Sequence, residues 1–168
     1  MGDWQRSLTV EERDQIQRAY QGCFERYAGV RVAHRSCGIA LAETFGLPTA
    51  PYQSLRRGGI TGEGECGTLV AGRLILGEIL GDPDPGGATT PALRDAVGEY
   101  QARWRMRTSV RGSVVCNDLV APFADFRGPG RARLCTNLAA KTAALVAETL
   151  IRNDAPFSIA PLMVSPSP

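Results

Sequence analysis

The sequence predicts an all-α protein: a compact bundle of five or six helices with a glycine-rich loop ahead of a buried central helix. Three observations carry this. Apolar residues recur at three- and four-residue spacing in several segments. The stretch "ECGTLVAGRLILGEIL", Glu65 to Leu80, is apolar nearly all round. Nowhere does a period-2 alternation occur between hairpin turn signals. At 168 residues the chain can bury one sizeable core. Residues 1–153 read as a single α-helical domain, and 154–168 as a proline-rich C-terminal arm or tail.

The first helix is expected over about residues 10–27. Thr9 and Glu12 form a capping box, and Ile16, Tyr20, Cys23 and Tyr27 follow at helical spacing. A second helix runs from about His34 to Phe45 and stops at Gly46-Leu47-Pro48. Prolines and glycines make 46–64 a loop. The central helix follows at 65–80, where Gly72 and Gly77 are expected to let another backbone approach closely. After the loop "GDPDPGGATTP", Thr90-Pro91 opens a polar helix to about Thr108. A short helical segment follows Ser113, and Gly128-Pro129-Gly130 leads into a last helix over about 131–152.

Composition narrows the function classes. With 43% hydrophobic and 21% charged residues the chain has the make-up of a globular protein. A net charge of +2 supplies no strong field for nucleic acid or anionic lipid. The N-terminal "MGDWQRSLTVEERDQ" has neither a secretory pattern nor the ~20 apolar residues of a membrane span. The expectation is therefore a cytoplasmic protein with no membrane and no nucleic-acid partner. In the run "ARWRMRTSVRG", Arg103, Arg105, Arg107 and Arg111 spread around a helix and read as a solvated face. The exposed polar helix and proline-rich arm are compatible with a homodimer.

Five cysteines in a reducing compartment point to metal or redox work, and their odd number argues against a fully paired disulfide framework. Four share a setting. Cys37, Cys66, Cys116 and Cys135 each have apolar residues at +3 and +4, so each heads an apolar stripe near the start of a helix. There the helix dipole lowers a thiol from about 8.5 into a range of roughly 3.5–7.5 in favourable cases. Cys23 lies mid-helix and reads as a small buried hydrophobe. The spacings of 29, 50 and 19 residues fit no zinc-ribbon or ferredoxin arithmetic.

A cysteine opening a helix, Gly58-Gly59, then Cys66-Gly67 with Gly72 and Gly77, then two single cysteines, resembles the C_GCAxxG_C_C family of redox-active proteins. The resemblance covers roughly residues 20–150. It implies a small α-helical protein whose four cysteines form a redox-active or metal-binding site. Related domains belong to the split-Soret cytochrome group, but the chain has no C-x-x-C-H haem attachment site. Gly38 and Thr68 stand where family members carry alanine.

His34, the single histidine, precedes Cys37 by three residues and would share its helix face, either activating Cys37 or completing a metal site. Glu63 and Glu65 flank Cys66 as proton-transfer groups or as first-turn acids. Gly62, Gly64 and Gly67 match a dinucleotide-binding pattern, but no strand precedes them and the two glutamates oppose a pyrophosphate. Three readings follow. In the first, Cys66 or Cys37 attacks a disulfide or electrophilic sulfur of a redox partner protein or small sulfur-containing substrate, and a neighbouring cysteine resolves the mixed disulfide. In the second, the same four cysteines hold an iron–sulfur cluster or another metal. In the third, they are inert parts of an interaction domain.

Overall fold

The computed structural model describes residues 2–108 and 112–164, and Arg111 lies outside them. Six α-helices carry the chain: α1 (Val10–Ala28), α2 (Cys37–Thr44), α3 (Gly67–Leu80), α4 (Pro91–Thr108), α5 (Cys116–Val120) and α6 (Pro129–Arg152). A 3-10 helix, Ala50–Leu55, lies between α2 and α3. The fold is all-α, and among the described residues the nearest approach to a sheet is one antiparallel bridge between Glu65 and Val115.

Local chemistry explains the helix limits. Thr9 Oγ1 accepts the Glu12 N–H at 3.1 Å, and the Glu12 carboxylate accepts the Thr9 N–H at 2.8 Å. At the other end Gly29 takes φ 71°, and its N–H donates to Glu25 O at 3.1 Å, a left-handed cap that glycine adopts without steric cost. The second helix starts at Cys37, three residues later than its apolar pattern suggests. Before it, the Arg35 N–H donates to Arg26 O at 2.8 Å, which commits 34–36 to an extended path along α1. The last helix starts at Pro129, earlier than expected, because proline at its first position needs no N–H partner.

The 24-residue α6 is the spine, with α1, α2, α3 and α4 all packed on it. It is long and apolar enough to cross a bilayer, yet 67% of the relevant window is buried inside the fold. Its core partners include Trp104, Tyr100, Leu69, Ile75 and Leu76, all essentially inaccessible. Gly72 does admit a close neighbour, but it is the phenol of Tyr100 from α4, not a backbone; Gly77 faces open space. Trp104 turns inward and donates to Thr142 Oγ1 at 2.9 Å. Arg103 stacks on Trp4, and Arg107 pairs with Glu148 at 2.9 Å.

The C-terminal arm is docked as far as it is described. Ala160 donates to Thr44 O at 2.9 Å, and Phe157 lies 5.9 Å from the Phe45 ring centre. The buried Arg26 guanidinium donates to the carbonyls of Ala160 and Pro161 at 3.2 and 2.9 Å.

Candidate functional site

Cys37 is the first residue of α2, Cys66 the cap of α3, Cys116 the first residue of α5, and Cys135 lies in the second turn of α6. All four line one cavity of about 20 Å³, together with Tyr27, Thr68, Leu119 and Leu138. That volume holds about one water. Cys23 is fully buried elsewhere, within the core beneath α1. All five cysteines are free thiols in this structure.

The glycine-rich loop does the positioning. Cys66 N–H donates to Val114 O at 2.7 Å, Cys116 N–H to Gly64 O at 3.0 Å, and Asn117 N–H to Gly62 O at 2.9 Å. These bonds stitch 62–66 to 114–117 and lock Cys66 beside Cys116. Side chains could not replace the glycines. A Cβ on Gly58, where φ is 56°, would lie 2.5 Å from Cys116 Cβ, and one on Gly62 would run into the Asn117 amide. On the other side, a Cβ on Gly67 would collide with the Leu55 carbonyl and lie 3.2 Å from Cys37 Cβ. The fit between α2 and α3 is therefore close enough to bring Cys37 and Cys66 to the same cavity.

Burial outweighs the helix dipole at these thiols. It pushes Cys37 up to about 12 and Cys116 up to about 11, and it raises Cys66 as well. The neighbouring thiols add to this at Cys37, led by Cys66, because one thiolate disfavours the next. The expectation of lowered thiol pKa values is thus reversed at Cys37 and Cys116, and at Cys66, where the flanking glutamates left the direction open, the shift is upward through burial. The reasons are local: α5 has only five residues, and the pocket wall is apolar. Cys135 loses its helix-start argument too, since α6 begins six residues before it.

Polar partners partly offset burial. Cys66 Sγ lies 3.2 Å from Thr68 Oγ1, which lies 3.3 Å from Thr142 Oγ1. Cys37 receives the backbone N–H of Arg57. At Cys116 the positive charges of Arg57 and Arg131 favour the thiolate. The Tyr27 hydroxyl accepts from Arg131 Nη1 at 3.3 Å and bonds Cys135. Burial, first of all, raises that phenol far above its usual range, so it stays neutral.

His34 is not brought to the cavity. It precedes α2, is exposed, and its Nδ1 bonds the Tyr27 carbonyl while its ring stands edge-on to the Tyr27 ring at 5.0 Å. Its contacts are with Tyr27, and it is not among the residues that line the cavity. Glu65 pairs with Arg73, Glu63 is exposed, and neither lines the cavity. Of the residues that escaped the sequence reading, Arg57 and Tyr27 reach the site through tertiary packing, whereas Arg131, four residues before Cys135 on α6, and Thr68, two residues after Cys66, carry a spacing signal that the sequence offers. Tyr27 did lie on the apolar stripe of α1, where it read as core.

Four thiols are the right donors for an iron–sulfur cluster or zinc, but their placement does not fit. Among the described residues no three His, Cys, Asp or Glu side chains are arranged to hold a metal ion. Comparison of the chain with protein-family models, with curated proteins and with solved structures finds no match.

Proposed function

We propose that the protein is a thiol–disulfide redox protein whose reactive centre is the set Cys37, Cys66, Cys116 and Cys135. The observation that carries this reading is that these four, and not Cys23, line a single cavity with room for little more than a water. The resemblance to the C_GCAxxG_C_C family points the same way.

Cys116 is the entry thiol in this reading. It is only half-buried, it is raised less than Cys37, and two arginine charges favour its thiolate. The Cys116 thiolate attacks one sulfur of a substrate disulfide, the S–S bond breaks, and the other half departs as a thiolate that takes up a proton. A second cysteine of the cavity loses its proton and attacks the mixed disulfide. An intramolecular disulfide forms and the remaining half leaves as a thiol. Two protein thiols give up two electrons and two protons, and the substrate disulfide gains them. The other two cysteines provide a second such pair, and a redox partner protein or small thiol regenerates the dithiol form.

The test is thiol counting and peptide mapping after anaerobic incubation of the reduced chain with a small disulfide. Disulfides confined to the four cavity cysteines, with Cys23 untouched, are expected. Consumption of Cys23 at the same rate would contradict the proposal. Stoichiometric iron and sulfide in anaerobically purified protein would replace it with the cluster reading, and thiols inert under all conditions would leave an interaction domain.

A further inference from the structure

We propose that Arg57, Arg131 and Phe126 form an anion subsite at the rim of the four-cysteine cavity, selecting small disulfides that carry carboxylates. This deepens the redox reading and rests on it.

Both guanidinium groups stack on one ring: Arg57 lies 4.9 Å and Arg131 4.4 Å from the Phe126 centroid. Cation–π contact holds each group in place without neutralising it. Several other arginines of the fold are paired with carboxylates, as Arg35 is with Glu43 at 2.7 Å and Arg107 with Glu148 at 2.9 Å. Neither Arg57 nor Arg131 has a carboxylate partner among the described residues, and Arg131 also bonds the cavity thiol of Cys135.

Their positions are built, too. Arg57 adopts φ 49°, a left-handed backbone that costs a non-glycine residue energy, immediately before the Gly58 that touches Cys116. Arg131 is braced by Nε donating to Phe126 O at 2.5 Å and Nη1 to Tyr27 OH at 3.3 Å. Guanidinium forks suit carboxylates.

Size sets the rest of the specificity. A cavity of about 20 Å³ admits a sulfur and little else, so the body of the substrate lies outside, against the partly exposed Phe126. The arginines act on Cys116 through their charge, so the substrate is one whose carboxylate is joined to the reacting sulfur by a short spacer. The same two charges stabilise the departing thiolate.

The experiment compares exchange rates of the reduced full chain with dithiodipropionate (anionic), hydroxyethyl disulfide (neutral) and cystamine (cationic). Each rate is normalised to that of a free cysteine peptide. The anionic disulfide should lead and the cationic one trail, the spread shrinking in high salt. Arg57→Gln and Arg131→Gln should each lower the anionic-to-neutral ratio by about fivefold. Arg131→Lys should lower it less, and the exposed Arg94→Gln on α4 not at all. Equal normalised rates for all three disulfides, or a ratio unmoved in both Gln variants, would overturn the subsite and leave the redox centre standing. No exchange with any of the three would overturn both.

Discussion

Gly58 and Cys116 are in direct backbone-to-side-chain contact: a methyl group on Gly58 would lie 2.5 Å from Cys116 Cβ, at a position where φ is 56°. The glycine-rich loop thus acts on the site by leaving space for the α5 cysteine. Gly58→Ala would cost about 1–2 kcal/mol from the left-handed backbone alone, and the clash would push Cys116 out of the cavity. Denaturant unfolding should show the loss of stability. Alkylation of Cys116 should become faster while that of Cys23 stays unchanged; unaltered Cys116 kinetics would separate the loop from the site.

Thiol reactivity should be ordered by burial and charge. Cys23 is fully buried and pushed up to about 12, and Cys66 is buried and raised. Cys116, pushed only to about 11 with two arginines favouring its thiolate, should be alkylated by iodoacetamide well before either at pH 8. Its rate should go on climbing with pH beyond pH 9, where an ordinary thiol levels off. Peptide mapping at timed quenches reads the order, and Cys66 reacting first would defeat this account.

The helices were legible because their signals are local. The Thr9–Glu12 capping box, the proline opening of α4 and the apolar run of α3 all act within a few residues. The start of α2 was misplaced because the Arg35–Arg26 backbone bond is tertiary and overrides the helical pattern. The cysteines stood out by their shared flanks, but their electrostatics depend on what surrounds them. Desolvation is a property of the assembled wall, so the stripe that flagged each thiol as core-facing was also the cause of its raised pKa. His34 illustrates the reverse error: sequence proximity to Cys37 counted for nothing once residues 34–36 ran outside the helix, against Tyr27.

Stability should fall at alkaline pH. Cys23 and Cys37 are pushed to about 12 and Cys116 to about 11, above the ordinary thiol value of about 8.5. Raised folded-state values mean that the native protein holds protons which the unfolded chain has released, so the free energy of unfolding declines with pH. The contribution is complete below about pH 9 and disappears as pH climbs through 11 to 12. Urea melts from pH 8 to 11 should record the decline, and Cys23→Ala should make it shallower. A flat profile would mean that the thiols are ionised in the fold. Because Cys23 is outside the cavity, the same substitution should leave disulfide exchange intact.

Thr68 and Thr142 separate the chemistry of Cys66 from the stability of the core. Trp104 Nε1 donates to Thr142 Oγ1 at 2.9 Å, and the Thr142 hydroxyl has Leu138 O at 2.7 Å. Thr142 Oγ1 also donates to Thr68 Oγ1 at 3.3 Å, which leaves the Thr68 proton for the sulfur, 3.2 Å away, when Cys66 is a thiolate. Thr142→Val would strand the buried Trp104 N–H, at a cost of about 1–3 kcal/mol. Thr68→Val leaves the Trp104 bond intact and removes the side-chain donor to the thiolate while the Thr68 and Leu69 backbone N–H groups remain, so it should cost less stability. It should also slow exchange steps through Cys66 by about tenfold, since a hydrogen bond to a charged group is worth about 1.5–3 kcal/mol. Thr68→Ser should restore the rate. Unfolding midpoints and resolution kinetics of the mixed disulfide, measured on the three variants, distinguish the two roles. A Thr68→Val protein that resolves at the normal rate would remove Thr68 from the redox chemistry and leave it a packing residue.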